Sequence, residues 1–432
     1  MNRIPSTGIR LLATRGTTLL WSLLLAMLWG CNVPASEAEA DEPAPERSYR
    51  LDYRVRPDPA ARGAHVEMTV TQRSHLLREI DMSLRDGKIT DVSGDGDVST
   101  GNDRVIWTLP ETGGQLRWFA LIDNQRDGET YDSHIDEDWA LFRGMDVMPS
   151  ASTRARAGAE SRTRLLFDLP DGWSSVTPYF GRDDVYEVDN PERNFDTPIG
   201  WIVLGDIGVR NDTVGHVRTK VAGPTGHSIR RMDILALMRW TLPELLRLLP
   251  DFPDRLTIVS AGEPMWRGAL SAPDSIYVHA DRPLISENAT STLLHETMHV
   301  GLGLTAAPGA DWIVEGLAEY YSLEILRRTG TISEKRYRDA HEALDEWGRK
   351  VGNLCRHRSS GSNTARAVTI LAKANGEIRK ASRGKADMDD VLRVLASRDE
   401  KVTVEQFRDI VSGIAGEAVD ALNPRKLPGC SE

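Results

Sequence analysis

The chain has 432 residues, of which 40% are hydrophobic, and its 53 basic and 64 acidic residues give a formal net charge of −11 at pH 7. A chain of this length and composition can form two or three globular domains with a sizeable core. The negative charge repels phosphate backbones, and the sequence contains no basic stripe with interleaved aromatic residues, so nucleic acid is not an expected partner.

The first 31 residues have the layout of an export signal. A basic stretch without acidic residues precedes an apolar run of eleven residues from Leu19 to Trp29, which ends in Gly30-Cys31. The run is shorter than the about 20 residues that a spanning helix needs. Its ending resembles a bacterial lipobox and predicts lipidation of Cys31. An ordinary cleaved signal and an uncleaved anchor are the alternatives. All three predict export, so we expect a lipid-anchored protein of the bacterial cell envelope that faces the periplasm or the exterior.

The composition then changes to Ala, Glu and Pro, which predicts a disordered tether over residues 32–47. Residues 48–210 contain short β-rich runs separated by Gly, Asp, Asn and Pro clusters, a pattern typical of an antiparallel β-sandwich-like domain. The clearest predicted strands are 49–55, 65–71, 105–109 and 165–169. Weak periodicity between residues 123 and 161 predicts long loops there.

Residues 211–432 are predicted to form a second domain, in which strands give way to helices. The predicted strands are 216–221, 256–260 and 275–279. Helical spacing predicts a helix over 232–249, with Pro243 beginning a second helix. From residue 289 onward the predicted helices are 289–302, 312–328, 334–351, 364–381, 388–396 and 404–414. Asn288 is expected to cap the first of these. The fold class is therefore α+β.

Two cysteines remain if Cys31 is lipidated, namely Cys355 and Cys430. In an oxidising compartment such a pair tends to form a disulfide, which would hold the C-terminal tail in place. The alternative is two free or buried thiols, because the sequence does not supply the Cα separation that decides between them.

The segment from His295 to His299 reads His-Glu-Thr-Met-His, an HExxH motif within a predicted helix. Two His residues four apart project from the same helix face, so both imidazoles can reach one zinc ion at about 2.0–2.1 Å. Glu296 lies between them, where it can take a proton from water at the metal as general base. The alternative is that the two histidines are ordinary helix residues that bind no metal. The segment that follows favours a metal site over this alternative.

A catalytic zinc needs a third protein ligand, and the next predicted helix supplies the carboxylates of Glu315 and Glu319. Fifteen residues separate His299 from Glu315, and they contain three Gly and one Pro. Such turn-forming residues allow the second helix to fold back onto the first.

HExxH followed by Trp-x-x-Glu-Gly-x-Ala-x-Tyr, from Trp312 to Tyr320, resembles the gluzincin metallopeptidases. It is most similar to the glycyl aminopeptidase family, which shares a clan with the leukotriene-hydrolase-type aminopeptidases. The resemblance implies one zinc ion held by His295, His299 and Glu315, since the Glu before Gly is the third ligand in that family. Glu319 would then accept a hydrogen bond from a ligand His. The competing assignment exchanges the roles of Glu315 and Glu319.

The resemblance spans roughly residues 48–415 and implies a β domain followed by a zincin, thermolysin-like α/β domain with a helical C-terminal part. Zincins pair extended substrate with an edge strand, and the predicted strand 275–279 stands at the corresponding place. His279 could then line the cleft, or it could be an exposed residue at a strand end.

Three features differ from the clan. Clan aminopeptidases hold the free amine of the substrate with a carboxylate in a GAMEN or GGLEH segment, and the comparable segment 266–273 contains no carboxylate. The Tyr that stabilises the oxyanion in the family has no counterpart in 359–366, so Tyr320, Tyr321, Tyr337 and His279 are the candidate donors. The spacer between His299 and Glu315 is also shorter.

These observations predict a zinc metallopeptidase that hydrolyses a peptide or protein substrate with the help of Glu296. The alternative from another class is a catalytically silent zinc-binding scaffold lipoprotein of the cell envelope. Hydrolysis of a non-peptide substrate, such as a cell-wall amide, is a third hypothesis.

Overall fold

A computed structural model of the protein describes residues 47–190, 194–398 and 400–430. The predicted signal peptide, Cys31 and the predicted tether up to residue 46 lie outside the described residues. Within the described ranges, none of the helices combines the length and apolarity needed to cross a membrane.

The first part of the described chain is almost entirely β-structure. Its elements are β1 (Ser48–Asp58), β2 (Gly63–Thr71), β3 (Leu77–Ser83), β4 (Ile89–Gly94), β5 (Asp97–Gly101), β6 (Arg104–Thr108), β7 (Gly113–Leu121), β8 (Asn124–Asp127), β9 (Thr130–Ile135), β10 (Trp139–Arg143), α1 (Gly144–Val147), β11 (Ala151–Ala155), β12 (Glu160–Phe167), β13 (Ser174–Val176), β14 (Phe180–Arg182), β15 (Val185–Val188) and β16 (Trp201–Gly205). The predicted β-rich N-terminal part is therefore confirmed.

These strands form three sheets. Their orders are β14-β15-β12-β1-β2-β7-β4, β13-β16-β10-β9-β8 and β11-β3-β6-β5. Neighbouring strands are antiparallel except for β1 and β12, which pair in parallel with Leu51 opposite Thr163. Along β1 the side chains of Tyr49, Leu51, Tyr53 and Val55 are all buried, because alternate residues face the same side of a strand.

The prediction of long loops between residues 123 and 161 is wrong, since β8 to β11 and α1 occupy that stretch. In β10 both faces are buried: Ala140 and Phe142 pack into the core of the N-terminal sheets, whereas Trp139 and Leu141 pack against the sheet that follows. A strand that is buried on both faces shows no alternation of polar and apolar residues.

The second part combines a mixed sheet with helices. Its elements are β17 (Ile207–Val214), β18 (Val217–Pro224), α2 (Arg231–Leu248), β19 (Arg255–Ala261), β20 (Ala269–Ala272), β21 (Ser275–His279), α3 (Thr292–Leu302), α4 (Asp311–Arg328), α5 (Glu334–Gly348), α6 (Ser362–Ala381), α7 (Met388–Ala396) and α8 (Val404–Ala415), followed by 3₁₀ turns at Asp420–Leu422 and Pro424–Lys426. The helices predicted from residue 289 onward are confirmed. Pro243, however, lies inside α2 and does not begin a second helix.

The sheet of this part has the order β17-β18-β19-β21-β20. β21 pairs in parallel with β19 and antiparallel with β20. It is therefore an interior strand, and the prediction that Ser275–His279 forms the edge is wrong. The edge strand next to β21 is the four-residue β20, which lies against α3.

The C-terminal tail is joined to the loop before α6. Cys355 and Cys430 form a disulfide with a Cα separation of 5.1 Å. The N–H of Leu354 also donates to the carbonyl of Pro428 at 2.7 Å. The loop that leads into α6 is thus held by a covalent bond and by a backbone hydrogen bond.

Candidate metal centre and cleft

The helix that carries the HExxH motif has a defined cap at each end. The hydroxyl of Ser291 accepts a hydrogen bond from the N–H of Leu294 at 3.3 Å, so the N-cap is Ser291 and the prediction of Asn288 is wrong. At the other end Gly303 has a φ of 57°, and its N–H donates to the carbonyl of His299 at 3.0 Å. These caps fix where α3 begins and ends around the two histidines.

Glu315 lies on α4, directly before a glycine that permits close helix packing. A Cβ at Gly316 would lie 2.6 Å from the Cβ of Ala367 and 3.1 Å from Cδ1 of Leu371, both on α6. Any larger residue would push α6 away from α4. The Glu-Gly pair in the sequence therefore combines a candidate ligand with a packing requirement of the helix that bears it.

Three side chains converge between α3 and α4. The Nε2 atoms of His295 and His299 are 3.1 Å apart. That of His295 lies 3.4 Å from Oε2 of Glu315, and that of His299 lies 3.4 Å from Oε1 of the same carboxylate. Zinc bonds of about 2.0–2.1 Å at tetrahedral angles place neighbouring ligand atoms about 3.3 Å apart. The three separations match that spacing, so these residues fit a zinc ion.

Glu319 contacts the opposite side of the His295 ring. Its Oε2 lies 2.9 Å from Nδ1 of His295, and its side chain is 15% exposed. A carboxylate on Nδ1 selects the tautomer whose Nε2 carries a lone pair. The structure thus brings Glu315 to the predicted ligand position and Glu319 to the predicted position beside a ligand.

Glu296 is held against the edge of the sheet. It is 9% exposed, and its Oε2 accepts a hydrogen bond from the N–H of Ser271 in β20 at 2.8 Å. This backbone bond fixes the orientation of the carboxylate beside the His-His-Glu cluster, where a general base for attacking water would lie.

Burial shifts the pKa values of these groups. Burial raises the pKa of Glu296, which makes its carboxylate a stronger proton acceptor. Burial, together with the neighbouring His295, lowers the pKa of His299 to about 4, so the ring is neutral at physiological pH, as a metal ligand requires. Burial also disfavours charge on His295, but its hydrogen bonds to Glu315 and Glu319 leave its pKa well above the usual value.

The cluster opens into a cleft of about 410 Å³, within the usual size range of small-ligand sites. One wall comes from the segment before and at the start of β20, with Trp266, Gly268 and Ala269. Another wall comes from α5 and from the start of α6 with the two residues before it, and its residues are Leu344, Trp347, Ser360, Gly361, Thr364 and Ala365. The other lining residues are Arg282, Thr290, Thr292, His295, Glu296, Glu315 and Glu319.

The residues predicted as oxyanion donors lie elsewhere. Tyr320 accepts a hydrogen bond from Asn375, and Tyr321 donates to Asp389. Tyr337 donates to Glu324. None of them is among the described residues that line the cleft, and neither is His279, which is 1% exposed. These four candidates are therefore not supported, because each side chain belongs to the packed interior or to a buried polar network.

Arg282, Thr292 and Trp347 also line the cleft and were not among the predicted site residues. Thr292 had a detectable signal, because it precedes His295 by three residues and so shares its helix face. Arg282 lies in a loop and Trp347 near the end of α5, where nothing in the local pattern relates them to the metal centre.

Comparisons with known proteins identify the fold. No protein-family model and no curated protein sequence matches the chain. The crystal structure of an aminopeptidase N family protein from Idiomarina loihiensis is similar, with a TM-score of 0.60 and 15% identity, over 88% of this chain and 74% of that one. An M1 zinc metallopeptidase mutant from Deinococcus radiodurans is also similar, with a TM-score of 0.57 and 17% identity, over 89% of this chain and 94% of that one.

At these identities the likeness shows the fold. The mixed α+β architecture, with β-rich N-terminal domains and a helical C-terminal part, matches that of the two solved structures and confirms the predicted fold class.

Proposed function

We propose that this protein is a zinc-dependent hydrolase that cleaves peptide bonds, and that it is exported and held at the cell envelope by lipidated Cys31. The observation that carries the proposal is the convergence of three donor side chains. The Nε2 atoms of His295 and His299 are 3.1 Å apart, and each lies 3.4 Å from one of the two carboxylate oxygens of Glu315. The carboxylate of Glu296 stands beside them. The fold similarity to a solved M1 zinc metallopeptidase and to a solved aminopeptidase N family protein supports the same class of reaction.

The donor set is that of a catalytic rather than a structural zinc site. Two His and one Glu would hold the ion, and among the described residues no fourth His, Cys, Asp or Glu joins the cluster. Zinc bound there would supply Lewis-acid chemistry by polarising the scissile carbonyl and by making water more acidic.

The other steps belong to the side chains of the protein. Glu296 takes a proton from the attacking water and delivers it to the leaving amine, while the N–H of Ser271 keeps its carboxylate aimed into the cleft. Glu319 keeps the ring of His295 in the tautomer that presents Nε2 to the cleft. The extended substrate adds to the free edge of β20, so that its scissile carbonyl passes over the donor cluster.

The test combines zinc quantification with cleavage of a peptide library by the purified protein. We expect about one zinc per chain, cleavage that chelation abolishes and zinc restores, and a Glu296→Gln variant that keeps its zinc while losing cleavage. Tight zinc with every peptide intact would instead indicate the scaffold. Undiminished cleavage by the Glu296→Gln variant would refute the proposed role of that residue.

A further inference from the structure

The carboxylates of the cleft are all engaged near the metal centre. Three carboxylates are present among the described residues that line it: Glu296, Glu315 and Glu319. Glu315 faces both imidazoles, Glu319 binds His295, and Glu296 accepts from the edge strand. No carboxylate among these lining residues is left to neutralise an ammonium group of a substrate. Among the described lining residues, a free N-terminus therefore has no anionic partner.

One guanidinium lines the same cleft. Arg282 is exposed, and in the described part of the chain its side chain makes a single hydrogen bond, from Nη2 to Oγ1 of Thr292 at 3.0 Å. None of the ion pairs among the described residues includes it. A guanidinium has five N–H donors arranged to bind a carboxylate through two parallel hydrogen bonds, so most of its donors remain for a ligand.

The position of Arg282 relative to the metal centre is fixed by two contacts. Thr292 precedes His295 by three residues on α3, which is about 5 Å along the helix axis and on the same face. The backbone of Arg282 is tied down as well, because its carbonyl accepts a hydrogen bond from Nη2 of Arg230 at 3.1 Å. The guanidinium thus lies at the first turn of α3, about one helical turn before His295.

The edge strand gives the direction in which a substrate meets this charge. Arg282 follows the C-terminal end of β21, and that end lies beside the start of β20, where Ala269 pairs with Val278. A peptide that adds to β20 in the antiparallel sense, the commoner sense of strand pairing, runs toward the start of β20. Its residues on the C-terminal side of the scissile bond then approach Arg282.

We propose that Arg282 binds a carboxylate of the substrate on the C-terminal side of the scissile bond. The preferred substrates then carry an acidic side chain or a free C-terminal carboxylate one or two residues beyond that bond. This inference rests on the proposed peptidase function, whose metal centre it takes as the reference point. The specificity of this cleft then comes from recognition of a substrate carboxylate and not from recognition of a free amine.

The test uses binding as well as turnover. Dipeptides whose N-terminus carries a zinc-binding succinyl hydroxamate are made in two forms, with a C-terminal carboxylate or a C-terminal carboxamide. Their affinities for the zinc-loaded protein are measured by calorimetry. A second pair, both carboxamides, carries Asp or Asn as the last residue. We expect at least one of the charged probes to bind about tenfold tighter than its neutral partner. The pair that shows the difference identifies which carboxylate is read.

Variants connect this preference to the residue. Arg282→Gln should remove it, Arg282→Lys should keep part of it, and Arg267→Gln should leave it intact. Arg267 is a matched control because it is an exposed cation near β20 that pairs with Glu263 and does not line the cleft. Zinc content and thermal melting of each variant verify that the fold and the metal centre are retained.

The outcomes separate this inference from the proposed function. Equal affinity of the wild-type protein for charged and neutral probes would overturn the role of Arg282, even if peptides are cleaved. A preference that survives in Arg282→Gln would overturn it as well. If the probes show the preference and no peptide is cleaved, the carboxylate site stands and the peptidase proposal fails.

Discussion

The exchange of Glu319 for Gln tests how Glu315 and Glu319 of α4 divide their roles at the metal centre. Glu319 lies 2.9 Å from Nδ1 of His295 and is 15% exposed. A Gln side chain can still accept that hydrogen bond through its amide oxygen, but it carries no charge to increase the basicity of the ring. Loss of such a partner weakens metal binding about 10–100-fold, or about 1.4–2.8 kcal/mol.

The zinc dissociation constant is measured by competition with chelators of graded affinity. Glu315→Gln should weaken zinc binding more than Glu319→Gln does, because Glu315 contacts the donor atoms themselves. Glu342→Gln, an exposed change on α5, serves as the control and should have no effect. A larger loss for Glu319→Gln than for Glu315→Gln would show that the two roles are exchanged, with Glu319 as the metal ligand.

Three further predictions concern the scaffold around the metal centre. Gly316→Ala should lower the free energy of unfolding by about 1–3 kcal/mol, measured by urea denaturation, because its methyl group would overlap α6; an unchanged value would contradict the tight packing. Replacing Cys355 and Cys430 together by Ser should cost about 2–4 kcal/mol in the same assay, and a smaller loss would mean that the tail is held by other contacts. Although burial opposes it, the hydrogen bond to Arg328 keeps the pKa of Asp389 below its usual value, so this carboxylate stabilises the fold above about pH 4 and loses that effect as the pH falls further. Asp389→Asn should therefore cost about 3 kcal/mol at pH 7 and flatten the acid limb of a stability-versus-pH curve, whereas a parallel curve would contradict this assignment.

The centre of the site could be predicted because its geometry is local. Two histidines four residues apart share a helix face whatever the rest of the fold does, and a short turn-rich spacer brings the next helix alongside. In the Glu-Gly pair, the Glu supplies the candidate ligand, and Gly316 leaves the room that the close packing of α4 against α6 requires. Such features depend on residues that lie close together in the sequence.

The walls of the cleft could not be predicted because they come from distant segments. β20 contains only Ala-Leu-Ser-Ala, which is too short and too poor in β-branched and aromatic residues to be recognised as a strand. It nevertheless forms an edge of the sheet and binds the carboxylate of Glu296 through a backbone N–H. Arg282 lies in the loop that follows β21. Its position therefore depends on the pairing of β21 with β19 on one side and with β20 on the other. Tyr320 and Tyr321 were wrong as candidate donors for the same reason, since their hydrogen-bond partners Asn375 and Asp389 lie 55 and 68 residues away in the sequence.

The oxyanion donor illustrates how a search by residue type can fail. Tyr320, Tyr321 and Tyr337 lie near the metal ligands in sequence, but all three point into polar networks of the helical core. In those networks burial raises their pKa values and keeps the phenols protonated. A phenol that is packed in this way stabilises the fold and is not available to a substrate.

The most direct test of the account is a crystal structure of the zinc-loaded protein with anomalous data collected at the zinc absorption edge. The account predicts one strong anomalous peak about 2.0–2.1 Å from Nε2 of His295, Nε2 of His299 and a carboxylate oxygen of Glu315, with solvent as the fourth ligand. A peak at another position, or a fourth protein side chain bound to the ion, would contradict it.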